Sequence, residues 1–205
     1  MGATGRGKSY YFETMTSSAP SLAAVCVFAG SKPGANPRFL ETATALGRAL
    51  ARRNIALVYG GGNNGLMGAL ANAALAGGGR VVGVIPQNLV DRENAHLGLS
   101  ELIITPDMHA RKARMASLAD AFLALPGGYG TLEELFEVVT WGQLGLHRKP
   151  VGMLDSDGFW EGLLAFLAHT RTQGFIPESG LSVLPCASDP DRILDLLAAG
   201  EGIGF

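Results

Sequence analysis

The sequence is short of charge, of cysteine and of long apolar runs, and each shortage closes off a class of protein. Asp, Glu, Lys and Arg make up only 17% of the 205 residues and leave a net charge of −2. That balance supplies no basic field to hold a polyanion, so nucleic acid is not an expected partner. The same low charge, set beside 47% apolar residues, excludes a disordered chain and provides for a large core.

Cysteine occurs twice, as Cys26 in AAVCVFAG and Cys186 in LSVLPCAS. Both fall in apolar segments, so two buried thiols in a reducing compartment are expected in place of a disulfide. Two cysteines with no His cluster beside them do not make a zinc site, and no metal is expected. No apolar run approaches the roughly 18 residues of a membrane span. The first such run, Leu22 to Ala29, has neither the basic flank nor the cleavage site of a signal peptide. A cytoplasmic protein without a membrane partner is the expectation.

One motif that is present has to be discounted. Gly2, Gly7, Lys8 and Ser9 fit the P-loop spacing, but that loop cradles phosphate only between a strand and a helix. A single residue precedes Gly2, and SYYFETMTSS follows. Residues 1–20 read as a flexible leader, and 21–205 as one domain.

From residue 21 the chain alternates between two patterns. Apolar, β-branched or aliphatic runs at 22–29, 55–59, 80–85, 101–104, 121–125, 150–154 and 181–184 end in turn residues and read as buried parallel strands. Helical patterns lie between them. Asn36-Pro37 supplies an N-cap and a first-turn proline, after which Phe39, Ala43, Leu46 and Leu50 share a face. Gly65 to Ala76 is a small-residue helix, stopped by a glycine triplet. Thr105-Pro106 opens the next helix and Thr131 the one after; Phe159 to Thr172 and Pro190 to Ala198 complete the set. This alternation specifies an α/β domain with a parallel sheet of about seven strands, whose ligands belong at the loops beyond the strands' carboxyl ends.

Four loops qualify. In Gly60-Gly61-Gly62-Asn63-Asn64-Gly65, a glycine turn runs from strand to helix, where bare backbone and helix N–H groups suit an anion. A dinucleotide would also need a carboxylate at the end of the next strand, and Pro86-Gln87 stands there instead. Phosphate binding and plain helix–strand packing both remain open for this turn. The second loop, Pro126-Gly127-Gly128-Tyr129-Gly130-Thr131-Leu132-Glu133-Glu134, is the strongest feature of the chain. Its glycines and threonine make a phosphate cradle. Its two carboxylates fit either a capping box, Thr131 with Glu134, or the stabilisation of an oxocarbenium-like state during glycosidic cleavage. The third, Asp107 to Arg114, puts Arg111 and Arg114 three residues apart on one helical face, with Lys112 pointing elsewhere. The fourth, Pro86 to Ser100, carries Glu93 and a histidine, His96, expected to be exposed.

Together, Gly60-Gly61-Gly62-x-x-Gly65-Leu66-Met67-Gly68, Met108-His109-x-Arg111-Lys112 and Pro126 to Glu134 resemble the LONELY GUY family. Its members are cytokinin-activating riboside 5′-monophosphate phosphoribohydrolases, often mislabelled lysine decarboxylases. Val27 to Ser31 and Trp141 to Gly145 look like the family too, and the similarity runs from about residue 22 to about residue 185. The resemblance implies a Rossmann-like, doubly wound domain and a homodimer with sites near the subunit interface. It also implies hydrolysis of an N6-modified adenosine 5′-monophosphate without metal or redox cofactor. Carried over by motif, Arg111 and Glu134 are the catalytic pair, and Gly127, Gly128, Tyr129, Gly130 and Thr131 form the phosphate loop. Glu93, Lys112, Glu133, Gly61 and Gly62 are further substrate-binding candidates.

Two other functions share these motifs. One is a less selective hydrolase of AMP or other nucleoside monophosphates. The other is a nucleotide or cofactor carrier of the same fold, such as the molybdenum-cofactor carriers, although carboxylates beside a phosphate loop do nothing for a pure anion binder. Lysine decarboxylation would need a Schiff-base lysine, and Lys32, Lys112 and Lys149 offer no convincing setting for one.

Overall fold

A computed structural model describes residues 22–90, 94–177 and 184–201. Seven parallel strands form one sheet: β1 (Ala24–Phe28), β2 (Ala56–Tyr59), β3 (Val81–Pro86), β4 (Glu101–Thr105), β5 (Ala121–Ala124), β6 (Val151–Leu154) and β7 (Cys186–Ala187). Their order across the sheet is β4-β3-β2-β1-β5-β6-β7. The chain therefore builds outward from β1 in one direction and then returns to build outward in the other. The strand order reverses between β1 and β5, which pair from Val25↔Ala121 to Phe28↔Ala124.

Among the described residues six α-helices cover both faces, and the period of two in the strands sorts the core between them. Val25, Val27, Leu57, Tyr59, Leu123 and Leu154 point toward α1 (Arg38–Arg52), α2 (Gly65–Ala76) and α6 (Pro190–Ala198). Cys26, Phe28, Val58, Phe122 and Met153 point toward α3 (Met108–Leu118), α4 (Tyr129–Gln143) and α5 (Glu161–Thr172). Such double coverage explains why the strands read as unbroken apolar runs rather than as alternation.

Several expectations shift when the caps are seen. Pro37 is the N-cap of α1, while the Asn36 side chain accepts from the Arg38 N–H at 3.0 Å. Helix α3 opens at Met108, because the Asp107 carboxylate accepts from the Ala110 N–H at 2.8 Å, rather than at Thr105-Pro106. Helix α4 opens at Tyr129 with Gly128 as an extended N-cap that has no side chain to donate to. Thr131 thus lies inside the first turn, and Glu133 and Glu134 beyond it, so the capping box does not form. Of the seventh expected strand, residues 181–183 lie outside the described residues. β7 falls at Cys186–Ala187, just past Pro185, whose carbonyl accepts from the Met153 N–H at 2.8 Å. Pro185 has no N–H for the ladder, and Cys186 on this edge is half-buried where a buried thiol was expected. The leader, residues 1–20, lies outside the described residues.

Candidate active site

Beyond the carboxyl ends of β1 and β5, where the strand order reverses, the loops diverge around a cleft of about 510 Å³. The β1–α1 loop, Gly30 to Gly34, lines it together with the β5–α4 loop, Pro126 to Gly128, and the first turn of α4. The two loops are tied together at their base, the Gly30 N–H donating to the Pro126 carbonyl at 3.1 Å.

The two glycine loops have different jobs. At the start of α2, the Leu66 and Met67 N–H groups both donate to the Gly30 carbonyl, at 3.0 and 3.4 Å. Those two helix-terminal donors are spent on protein and are not offered to an anion. Gly61 and Gly62 do not line the cleft. Gly62 instead bridges to Ala95, while the Gly61 carbonyl accepts from the His96 N–H at 2.9 Å. What the turn does provide is room: a Cβ on Gly60 would overlap the Arg111 guanidinium.

Arg111 is 5% exposed yet lines the cleft. Its Nε donates to the Val84 carbonyl at 3.1 Å and its Nη2 to the Gly60 carbonyl at 3.3 Å. Its Nη1 stands 3.6 Å from the Met108 sulfur. A cation is thereby fixed at the carboxyl ends of β2 and β3. Arg114, expected on the same face, is exposed and stands outside the cleft.

At α4 the first-turn N–H groups remain available. Gly128 and Gly130 are open to the cleft, where an added Cβ would meet nothing within 4 Å. Thr131 is 4% exposed and lines the cleft, and its hydroxyl has no hydrogen-bond partner among the described residues. A Cβ on Gly127 would overlap the Thr131 side chain, so glycine there lets the threonine pack behind the loop. Uncapped N–H groups and a threonine hydroxyl around a bare glycine loop are chemically suited to an anion. Glu133 and Glu134 follow on the same helix and also line the cleft. Glu134 and Arg111 both act on the buried Cys26 thiol from its own face of the sheet. Burial pushes that thiol well above its ordinary range, Glu134 pushes it further, and Arg111 works against the shift.

Lys112 does not line this cleft; its ammonium is bound by Glu133 at 2.6 Å and Glu137 at 2.8 Å. Burial opposes its charge, yet the two carboxylates hold its pKa above the ordinary lysine value. The side chain thus ties α3 to α4. Tyr129 is 94% exposed at the cleft's edge. Glu93 lies outside the described residues. His96, expected to be exposed, is 8% exposed. Its Nδ1 accepts from the Gly98 N–H at 3.1 Å, so its Nε2 donates to Asn72 at 3.0 Å.

Sequence reasoning passed over one wall of the cleft. Phe39 and Phe159 meet edge-to-face at 5.6 Å, and Phe159 meets the buried Trp160 in the same way at 4.8 Å. Both phenylalanines line the cleft. An aromatic at the first turn of α1 and another just before α5 were the available signals, but their meeting is a tertiary event.

The chain matches a family model described as "Possible lysine decarboxylase" over residues 67–197. It is 49% identical over 177 residues to a cytokinin riboside 5′-monophosphate phosphoribohydrolase of Arabidopsis thaliana, covering 86% of this chain and 82% of that protein. It is 50% identical over 169 residues to an enzyme of the same name from Rhodococcoides fascians, covering 82% and 85%. Among solved structures, the molybdenum cofactor carrier protein of Chlamydomonas reinhardtii superposes with a TM-score of 0.66 at 21% identity, covering 86% and 96%. The molybdenum cofactor binding protein of Rippkaea orientalis gives 0.63 at 25% identity, covering 84% and 93%. The carrier structures speak for the fold; the closer likeness in sequence is to the hydrolases.

Proposed function

This chain belongs to the LONELY GUY family of phosphoribohydrolases, and we propose from that premise that it cleaves the N-glycosidic bond of an N6-modified adenosine 5′-monophosphate. The products are the free base and ribose 5-phosphate. One observation carries the reading at the site: an open helix N-terminus, a fixed guanidinium and two carboxylates line a single cleft at the point where the strand order reverses.

The chemistry follows from that arrangement. The 5′-phosphate sits on the first turn of α4, held by the N–H groups of Gly128 to Thr131 and the Thr131 hydroxyl. Glu134, one turn further along α4, then faces the sugar. As the bond to the base breaks, positive charge grows at C1′ and the ring oxygen, and a carboxylate beside it lowers the barrier and directs water to C1′. Arg111, docked on the Val84 and Gly60 carbonyls, presents a cation that cannot swing away. Its place next to the sugar and base steadies the substrate and the electrons that leave with the base.

Glu134→Gln keeps the shape and removes the charge. It is expected to lower kcat by about a hundredfold or more while leaving ribotide binding within about threefold. Release of base from N6-isopentenyl-AMP and from AMP, with the nucleosides as controls, is the measurement, and unchanged turnover sinks the role. Binding of both nucleotides without cleavage by the parent protein would instead favour the carrier reading.

We also assign the protein to the cytoplasm as a homodimer. Its two free thiols, Cys26 and Cys186, suit a reducing compartment. Tyr129 at the cleft, together with the exposed Leu144 and Leu146 just past α4, offers apolar surface for a second copy. Light scattering that reports a monomer at micromolar concentration would remove the dimer.

A further inference from the structure

We propose that Lys32, on the β1–α1 loop, is the cation that meets the substrate's 5′-phosphate in the cleft it shares with the first turn of α4. The inference rests on the phosphoribohydrolase reading above, and it begins from a charge imbalance. A phosphate dianion must enter a cleft lined by Glu134 and by Glu133, whose own charge is met by Lys112 outside the cleft, so a further cation is needed beside the phosphate. Among the described residues, only Lys32 and Arg111 line that cleft with positive charge.

Arg111 is committed elsewhere, two of its nitrogens bonded to carbonyls at the ends of β2 and β3. Lys112 stands outside the cleft, bound by its own two carboxylates. Lys32 is different: it is exposed, and its ammonium has no ion pair or hydrogen bond among the described residues. Its backbone is nevertheless well fixed. Two residues earlier, Gly30 donates to Pro126 at the foot of the phosphate loop and accepts from Leu66 and Met67. A rigid loop carrying a flexible, compact charge suits capture of a phosphate that has several orientations on approach. Thr131, on the first turn of α4, lines the same cleft.

The test is calorimetric titration of ribose 5-phosphate into the parent protein, Lys32→Ala and Lys32→Arg, alongside kinetics on N6-isopentenyl-AMP. In Lys32→Ala, ribose 5-phosphate affinity should fall by about tenfold and KM rise by a similar factor, with kcat moving much less. Arginine should restore most of the loss, and the salt dependence of binding should flatten in the alanine variant. A merely structural lysine would show neither the rescue nor the salt effect. Since Lys32 is exposed, the variants should melt with the parent. Cleavage by the parent together with parent-like ribose 5-phosphate affinity in Lys32→Ala, within about twofold, overturns the lysine's role. A parent that binds ribose 5-phosphate through Lys32 but cleaves no ribotide overturns the hydrolase reading and leaves the lysine's role standing. A parent that does neither overturns both.

Discussion

Arg111 shows how a single residue is held by atoms that carry no side-chain identity. Its guanidinium rests on two main-chain carbonyls, and it can do so only because position 60 has no Cβ. Gly60→Ala should therefore displace the guanidinium while leaving every other titratable group of the cleft in place. A catalytic group moved by about 1 Å can lose about a hundredfold in rate, and a drop of tenfold to about a hundredfold in kcat is expected. Parent-like kcat with an unchanged melting temperature would show that the guanidinium's seat does not matter. His96 is held in the same manner, one nitrogen accepting from Gly98 and the other donating to Asn72. His96→Ala removes both bonds at a buried position and should cost about 1–3 kcal/mol, read by denaturant melts.

At the scale of elements, the helices on each face are pinned to one another by charge. Arg53 at the end of α1 meets Asp191 at 2.9 Å and Asp195 at 2.7 Å on α6. Lys112 on α3 meets Glu133 and Glu137 on α4. The second clamp is the more sheltered, with Lys112 only 12% exposed. Lys112→Met leaves the half-buried Glu137 without its partner and should cost about 1–3 kcal/mol. The melting temperature should drop by roughly 2–4 °C per kcal/mol in a chain of this size. If Lys112 clamps helices and does not hold substrate, KM should change far less in this variant than in Lys32→Ala. The reverse ranking would return the lysine to the binding site.

For the whole molecule, acid is the informative stress. His147 joins the body of α4 to the approach to β6, Nδ1 accepting from the Lys149 N–H and Nε2 donating to the Val138 carbonyl. Burial lowers its pKa from the ordinary 6.5, helped by Lys149 and opposed by the Val138 bond. The unfolded chain therefore takes up this proton first as pH falls. The group's contribution to stability is complete above about 6.5 and is lost progressively below it. His147→Gln, which cannot take up that proton, should lose less melting temperature between pH 7 and 5 than the parent does. Parallel curves for the two proteins would exclude the histidine as the source.

Composition and period by themselves determined the architecture. Six of the seven strands fall where unbroken apolar runs stand, and α2 and α6 begin and end where the residue pattern places them. A strand buried on both faces, or a helix bounded by glycine or proline, writes its own limits into adjacent residues. The glycine loop that lines the cleft, Pro126 to Gly130, was legible for the same reason, being one contiguous segment from strand to helix. Tertiary structure alone decided which charges are available. Arg111 finds its carbonyls 27 and 51 residues away, and Lys112 finds its carboxylates 21 and 25 residues away. His96 is covered by Asn72, 24 residues earlier. Main-chain acceptors look alike at every position, and an ion pair between helices depends on how the helices lie. Which lysine is free to meet a phosphate is therefore set by packing across the sheet, not by any local run of residues.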